Sequence, residues 1–458
     1  MTQRLETYMT ELERLGRELG LDYYPVNFEE VPDSFMMEIA VYGLPVRMPH
    51  WSFGVRYVYQ LVQHRMGHSR LFEVVFPGNP GQAYLAKNNS VQENVLVTAH
   101  VLGHADFSKN NTLFKRSEEQ LGYRIIEKAA SHARRIALAI EEHGEARVER
   151  ILDAALALES HIDIFKGVER AEPGANRRAA ASPADDQFQA RFLDLPGEGK
   201  AADHSDDQTT VSGEQTMAEE DLLWFIANHA PELEDWERDI FLAVREESFY
   251  FYPVFACQIM NEGWASYWHA RLLSETDLMT SGDYVDAMKT HSDVVRPHAA
   301  DDQASLSVNP YHLGFSLWGK IIEEHGIEKA FEIRANDDDF SFIRNYLTED
   351  VADELKLFRY KQGKDGSVSV LDRDIKELQD VILQPKYNFG SPSVRATQID
   401  VDGKLHLEHQ HTTDGRGLDL GRSEKVLEYV QQVWRRPVEL ATIDAKGAPK
   451  VVSLAEAD

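Results

Sequence analysis

The sequence predicts a mainly α-helical N-terminal body followed by a small C-terminal α+β domain. Apolar residues recur at helical spacing up to residue 384, except in a stretch between 170 and 216 that is rich in Ala, Gly, Pro, Asp and Ser. Beyond Lys386 the pattern changes to the apolar–polar alternation that is typical of strands. This alternation covers 394–399, 405–409, 438–443 and 451–454.

We therefore expect four segments. Residues 1–169 and 217–384 form the two halves of the helical body, and residues 385–458 form the α+β domain. A helix at about 422–435 lies between the second and third strands of that domain. The low content of large apolar residues predicts that 170–216 is a linker or a poorly ordered insertion.

The composition indicates a globular, strongly acidic protein of the cytoplasm. Apolar residues make up 43% of the chain, and 77 acidic residues against 48 Lys and Arg give a net charge of −29. Such a charge repels nucleic-acid phosphates and anionic membranes, so neither is an expected partner. The single cysteine, Cys257, excludes a disulfide framework and cysteine-rich zinc modules. The chain has no signal-like apolar start and no run of about 18 apolar residues that would span a membrane.

Two histidines lie four residues apart on one predicted helix. Residues 90–93 have the form of a capping box, which predicts a helix from Ser90 through His104. His100 and His104 share a face of this helix with Gly103, which permits another element to approach closely. The i, i+4 spacing lets both imidazoles bind one cation, although a pair of core histidines would give the same pattern.

A second stretch, residues 261–265, adds a carboxylate at Glu262. Glu262 and His269 share a largely apolar face of a predicted helix over 259–273. A carboxylate on such a face needs a positive partner, a hydrogen-bond network or a metal, because its desolvation is otherwise costly.

A third predicted helix, 234–251, places Glu247 on its apolar face and Glu246 near the edge of that face. Either carboxylate could act as the base of a metal-dependent reaction. The alternative is an internal ion pair between Glu247 and an arginine such as Arg56 or Arg245.

These motifs resemble the signature of the stage V sporulation protein R family. The similarity is carried by residues 99–107, Asn110-Asn111, residues 260–269, Asn309-Pro310-Tyr311, Leu313-Gly314 and Pro49-His50-Trp51. In spore formers the resemblance implies a role in making the spore cortex, a peptidoglycan layer. Relatives in bacteria that do not sporulate imply that cortex assembly is not the general biochemical activity.

The same stretches are similar, more distantly, to the gluzincin metallopeptidases. That similarity implies that His100, His104 and Glu262 are metal ligands. The chain departs from the pattern at Val101, where a gluzincin carries its catalytic glutamate, and in the long separation of His104 from Glu262. Because valine cannot deprotonate a metal-bound water, a glutamate of another helix replaces it, or the site has a different chemistry or a structural metal.

Three functions therefore stay open. The first is a metal-dependent hydrolase acting on an amide bond of a cell-wall-related substrate. The second is a non-catalytic protein that binds a partner and keeps a structural or relic metal site. The third is a two-metal carboxylate–histidine redox protein. The expected metal is zinc, with iron or manganese as alternatives. The candidate ligands are His100, His104, Glu262 and His269, and the candidate bases are Glu247 and Glu246.

Overall fold

The computed structural model describes residues 3–65, 72–170, 215–296, 309–357, 359–362, 368–372 and 374–455. Most of the predicted insertion 170–216 lies outside these residues. Within them the chain is mainly α-helical in its N-terminal part, with an α+β region at its C-terminus, which confirms the predicted fold class. No helix in the described ranges is long and apolar enough to cross a bilayer.

The helices and strands are named here in chain order. They are α1 (Gln3–Glu18), β1 (Val26–Val31), α2 (Asp33–Tyr42), α3 (Trp51–Arg65), β2 (Glu73–Phe76), β3 (Gly81–Ala86), α4 (Val91–Asn110), α5 (Thr112–Leu121), α6 (Ile125–His143), α7 (Glu145–Ala157), β4 (Gln215–Glu219), α8 (Leu222–His229), α9 (Asp235–Ala256), α10 (Gln258–Glu275), α11 (Ser281–Val295), α12 (Pro310–His325), α13 (Ile327–Asn336), α14 (Asp339–Tyr346), α15 (Glu349–Glu354), β5 (Arg359–Gln362), β6 (Val368–Asp372), α16 (Ile375–Leu383), a 3₁₀ segment (Gln384–Gly390), β7 (Val394–Ile399), β8 (Leu405–His409), α17 (His411–Asp414), α18 (Leu420–Trp434), β9 (Val438–Ile443) and β10 (Pro449–Leu454).

The chain forms two compact units. The first consists of Met1–Leu152 and Glu246–Pro392, and the second of Asp153–Arg245 and Ser393–Asp458. The predicted start of the C-terminal domain at residue 385 lies close to the boundary after Pro392. Residues 153–245, which the sequence pattern assigned to the helical body and the insertion, belong to the same unit as the C-terminal strands.

The core of the first unit is built on α4, α10 and α12, which pack together at glycines. A Cβ atom on Gly103 of α4 would lie 2.7 Å from the Cα of Ala265 on α10. One on Gly263 of α10 would lie 2.2 Å from the carbonyl carbon of Gly314 on α12. Only glycine fits at these crossings, so the helix backbones approach closely, as the sequence predicted at Gly103.

Polar side chains fix the positions of α4 and α10. The predicted capping box is present at the start of α4, where Ser90 and Glu93 bind each other's backbone N–H groups. The carboxylate of Asp339 accepts two backbone N–H groups of the first turn of α10, each at 3.0 Å. Asp106 of α4 accepts the indole N–H of Trp264 on α10 at 2.9 Å. These bonds set the register between the helices.

The first unit also contains two small sheets that the sequence pattern did not predict. One has the strand order β1-β3-β2, with β1 parallel and β2 antiparallel to β3, and the other is the antiparallel pair β5-β6. Strand β2 packs against α4 and begins at Glu73. The sheet thereby brings a carboxylate to the helix that carries His100 and His104.

The second unit contains a five-stranded sheet of order β10-β9-β8-β7-β4. Strands β7, β8 and β9 have the predicted bounds, and β10 begins two residues before its predicted start. The fifth strand, β4, spans the predicted boundary between the insertion and the second helical half at 216/217, and it pairs antiparallel with β7, with Gln215 opposite Ile399. This pairing explains why residues far apart in the sequence share one unit.

Candidate metal centre

The two sequence motifs meet in the interior of the first unit. The Nε2 atoms of His100 and His104, both on α4, lie 3.5 and 3.4 Å from the same oxygen, Oε2 of Glu262 on α10. In a tetrahedral zinc site with bonds of about 2.1 Å, ligand atoms lie about 3.4 Å from one another. His100, His104 and Glu262 thus have the spacing of metal ligands.

Two atoms of this cluster are buried without a hydrogen-bond partner in the described part of the chain. They are Nε2 of His100 and Oε2 of Glu262, the atoms that face each other. Leaving a buried polar atom unsatisfied costs about 1–3 kcal/mol. A cation bound between the two atoms would remove this cost for both.

Asn261 fixes the orientation of the His104 ring. Its amide oxygen lies 2.8 Å from Nδ1 of His104. An amide oxygen can only accept, so Nδ1 of His104 donates and Nε2 faces Glu262. A hydrogen bond of this kind from the remote ring nitrogen is typical of histidine ligands in metal proteins.

His269 belongs to the same cluster but lies behind His100. Its Nδ1 is 3.0 Å from Nδ1 of His100, and its Nε2 is 2.6 Å from Nδ1 of His291 on α11. Both ring nitrogens of His269 therefore contact other imidazoles. This position suits a residue that orients His100, whereas the sequence predicted a fourth ligand.

The electrostatics of the cluster suit a divalent cation. Burial and the neighbouring His104 lower the pKa of His100, and burial with His100 holds the pKa of His269 well below its usual value. Burial opposes ionisation of both Glu262 and His104, but their mutual attraction outweighs it, so the pKa of Glu262 is lowered and that of His104 is raised. The cluster thus combines a charged carboxylate with two imidazoles, His100 and His269, whose lowered pKa values favour the neutral form, and with His104, which would release its proton on binding a cation.

A cavity of about 380 Å³ adjoins the cluster. Its wall includes Glu73 of β2, whose Oε1 lies 3.9 Å from Nε2 of His100. Burial and the charge of Glu262 raise the pKa of Glu73 to about 7. The remaining wall is mostly apolar and is formed by Phe72, Leu96, Val97, His269, Thr290, Val294, Asn309, Pro310 and Tyr311.

Tyr311, in the first turn of α12, covers another side of His100. The two rings are stacked, with centroids 6.1 Å apart and an interplanar angle of 24°. The charge of Glu262 and burial hold the pKa of the Tyr311 phenol well above its usual value. Its hydroxyl therefore stays protonated and donates to the carboxylate of Glu262.

Glu246 and Glu247 lie in a different cluster, which we call the His132 network. It consists of Arg47, His132, Glu246 and Glu247. Nδ1 and Nε2 of His132 lie 3.2 and 3.0 Å from Glu247 and Glu246, respectively, and Arg47 donates to Glu247 at 2.7 Å. Among the described residues, no polar contact joins either glutamate to the candidate ligands.

The ion pair that the sequence offered as an alternative for Glu247 is present, but with Arg47. Arg245 binds Asp221 of the second unit instead, at 2.8 Å. Val101, which stands at the position of the missing glutamate, is fully buried in the apolar core. The base role of Glu247 or Glu246 stays a prediction.

Sequence reasoning missed Glu73, His291 and His132. Each had a local signal. Glu73 is a single acid within an otherwise apolar run at 71–76, and His291 follows Ala287 on the apolar face of α11. His132 likewise lies on the buried face of α6 with Ala129. These local patterns do not predict which residue each side chain contacts, because the contacting residue lies in another part of the chain.

Comparison with known proteins agrees with the motifs. The family model described as SpoVR like protein matches residues 1–390, a range that contains every residue of the cluster and the cavity wall. The chain is 27% identical to the uncharacterized protein YcgB of Escherichia coli (strain K12) over 482 residues, which cover 97% of this chain and 92% of that protein. No solved structure matches. The similarity to gluzincins stays a prediction, whereas the family match covers most of the chain: the chain belongs to the SpoVR-like family.

Proposed function

We propose that this protein is a metal-dependent hydrolase whose divalent cation, zinc in the first place, is bound by His100, His104 and Glu262. One observation carries the proposal. Two buried atoms, Nε2 of His100 and Oε2 of Glu262, face each other 3.5 Å apart without hydrogen-bond partners in the described residues. The third candidate ligand atom, Nε2 of His104, lies 3.4 Å from the same oxygen of Glu262. Ligand atoms of a tetrahedral cation have about this spacing.

Three protein ligands leave one tetrahedral position for water or substrate, which is the arrangement of catalytic rather than structural zinc sites. When bound, the cation supplies a Lewis acid and lowers the pKa of a bound water. The cavity beside His100 supports a catalytic role, because substrate needs access to that position. His269 would act by holding His100, since both of its ring nitrogens already contact imidazoles.

Glu73 is the best-placed general base. It lies in the cavity wall, and its Oε1 is 3.9 Å from Nε2 of His100. Its carboxylate would take the role of the catalytic glutamate that is replaced by Val101. Glu247 and Glu246, the bases expected from sequence, are instead hydrogen-bonded to His132. Tyr311, which donates to Glu262, would be released when that carboxylate binds the cation, and could then donate to the oxygen on which negative charge develops.

The substrate class follows from the family. Resemblance to proteins of spore cortex formation favours an amide bond in peptidoglycan or a related cell-wall compound. A cavity of about 380 Å³ with a mostly apolar wall is large enough for the groups flanking one such bond.

Metal analysis tests the site. Protein purified without an affinity tag and without added metal should contain about one zinc per chain, and His100→Ala/His104→Ala should contain none. The matched control, His143→Ala/His325→Ala, removes two histidines outside the cluster and should keep the metal. A folded wild-type protein that binds none of zinc, iron or manganese would contradict the site. About two iron or manganese ions per chain would favour the redox alternative.

Hydrolysis is tested separately. Zinc-loaded protein should release fragments with new amino and carboxyl termini from purified peptidoglycan, as detected by mass spectrometry. Glu73→Gln should keep the zinc and lose the activity by about 100-fold or more. Glu29→Gln is the control, because Glu29 is an exposed glutamate on β1 of the same sheet. Loss of zinc in Glu73→Gln would make Glu73 a ligand, and zinc-loaded wild-type protein without activity would favour the non-catalytic alternative.

A further inference from the structure

Helix α3 carries an apolar face that is exposed along its length. Its exposed residues recur at the spacing of one helix face. Their exposed fractions are 53% for Trp51, 61% for Val55, 60% for Val58, 66% for Tyr59 and 47% for Val62. Single exposed apolar residues are ordinary, but a continuous stripe of this kind marks an interaction site.

The opposite face of α3 is already anchored. Phe53 is buried, its ring packs edge-to-face on Tyr42 at 5.2 Å, and the Arg47 guanidinium lies 5.0 Å from its centroid. The helix is therefore apolar on the face that it buries and on the face that it exposes. Because apolar residues occupy two faces of α3, burial of one face leaves the other to be covered by a second contact.

The charge around this stripe differs from that of the rest of the chain. Residues 39–72 contain four arginines and no Asp, Glu or Lys, in a protein that has 77 acidic residues. Trp, Tyr and Arg are enriched at protein–protein interfaces, and Asp, Glu and Lys are depleted there. The composition of the stripe and its surroundings is that of an interface.

We propose that this face binds a second copy of the same chain, α3 against α3, in a two-fold dimer. Two chains that each carry a charge of −29 repel one another wherever acidic surfaces meet, and a contact made by α3 uses a stretch of sequence, 39–72, that contributes no acidic side chain to this repulsion.

Gly54 supports the contact between two helices. It lies within the exposed stripe, and a Cβ atom built on it would have no atom of the described residues within 4 Å. The missing side chain leaves room for the backbone of a second helix at the crossing point. A two-fold arrangement uses the same patch on both copies and closes on itself, so it does not polymerise.

Sedimentation velocity and light scattering of the full chain test the proposal. Wild-type protein should have twice the chain mass of 52.1 kDa. Val55→Asp/Val58→Asp should weaken the dimer by about 100-fold or more, without a change in circular dichroism or metal content. Val285→Asp is the matched control, because Val285 is 64% exposed on α11, and it should stay dimeric.

Two outcomes would overturn the proposal. One is a wild-type protein that is monomeric at the highest concentration reached, and the other is a double variant that dimerises as tightly as wild type. Co-sedimentation with phosphatidylglycerol vesicles is measured in parallel. Monomeric wild-type protein that binds these vesicles, together with a double variant that does not, would assign the stripe to an anionic bilayer instead.

Discussion

Two buried clusters of the first unit are made of the same residue types and differ in how their polar atoms are satisfied. In the candidate metal centre, His100 and Glu262 present atoms without partners among the described residues. In the His132 network, both ring nitrogens of His132 contact carboxylates and Glu247 also accepts from Arg47. The candidate metal centre therefore has polar atoms that can bind a cation. In the His132 network, the charges of the glutamates are already compensated by His132 and Arg47.

We therefore expect substitutions in the candidate metal centre to affect metal binding, and substitutions in the His132 network to affect folding stability. Removing a group from an incompletely satisfied cluster should cost little folding free energy, because its partner atoms already lack hydrogen bonds. Removing a group from a satisfied buried network leaves a charge without its counterion, which is costly. Histidine and glutamate at helical spacing predict both kinds of cluster equally, so the variants below are designed to tell them apart.

The largest effect is expected at Glu247. Its side chain is fully buried and its partner Arg47 nearly so, and Glu247→Gln leaves the guanidinium buried without its carboxylate. The free energy of unfolding should fall by about 3–5 kcal/mol, measured by urea denaturation. The zinc content of the folded protein should not change.

A double variant provides the control for this loss. Arg47→Met/Glu247→Leu removes both charges and should recover much of the lost stability, because neither charge then needs a partner. If Glu247→Gln instead kept full stability and lost the metal, the His132 network and not the candidate metal centre would contain the metal-binding residues. The sequence-based interpretation of Glu247 as part of the site would then be restored.

Local patterns predicted the part of the site that lies within single helices. The capping box located α4, and the i, i+4 spacing placed His100 and His104 on one face. The apolar stripe of α10 showed that Glu262 points inward. These inferences depend only on residues a few positions apart, where helix geometry determines the direction of each side chain.

Contacts between distant segments were not predictable in the same way. Glu73 reaches the site because β2 pairs with β3 and packs against α4, and nothing at 71–76 specifies that packing. Strand β4 is a short, mostly polar segment at the end of the predicted insertion, and it forms only by pairing with β7, which lies far along the chain. Likewise, a buried Glu247 is compatible with any arginine, and Arg47 is selected only by the tertiary fold.

A smaller effect is expected where the two helices of the metal centre touch. In Gly103→Ala the new Cβ atom would lie 2.7 Å from the Cα of Ala265, so α4 and α10 must move apart. We expect a loss of about 1–3 kcal/mol in the free energy of unfolding, together with weaker zinc binding, because His100 and Glu262 lie on the separated helices.

Gly319→Ala is the matched control for this variant. Gly319 also lies within a helix, α12, but no atom of the described residues lies within 4 Å of the position of its Cβ. The change should raise stability by up to about 1 kcal/mol through helix propensity. Equal effects of the two substitutions would contradict the close packing of α4 on α10.

The smallest effect is a pH dependence of the His132 network. Burial lowers the pKa of His132, but its hydrogen bonds to Glu246 and Glu247 outweigh burial and raise it, while the hydrogen bond to His132 lowers the pKa of Glu246. The positive charges that face the two glutamates are Arg47 within the network and Lys128 and Arg135 beside it. A raised pKa in the folded state means that the proton on His132 stabilises the fold.

This contribution should be complete below the unfolded-state pKa of about 6.5 and should be lost as the pH rises through the higher folded-state value. At the acidic end it is lost again once Glu246 is protonated. The difference in unfolding free energy between wild type and His132→Gln should therefore shrink by about 1 kcal/mol from mildly acidic to alkaline pH, in urea titrations. His143→Gln, at the end of the same helix, should show no such trend. A difference that is constant with pH would mean that His132 is neutral in the fold, and that the charges of the two glutamates are balanced by arginine and lysine side chains without His132.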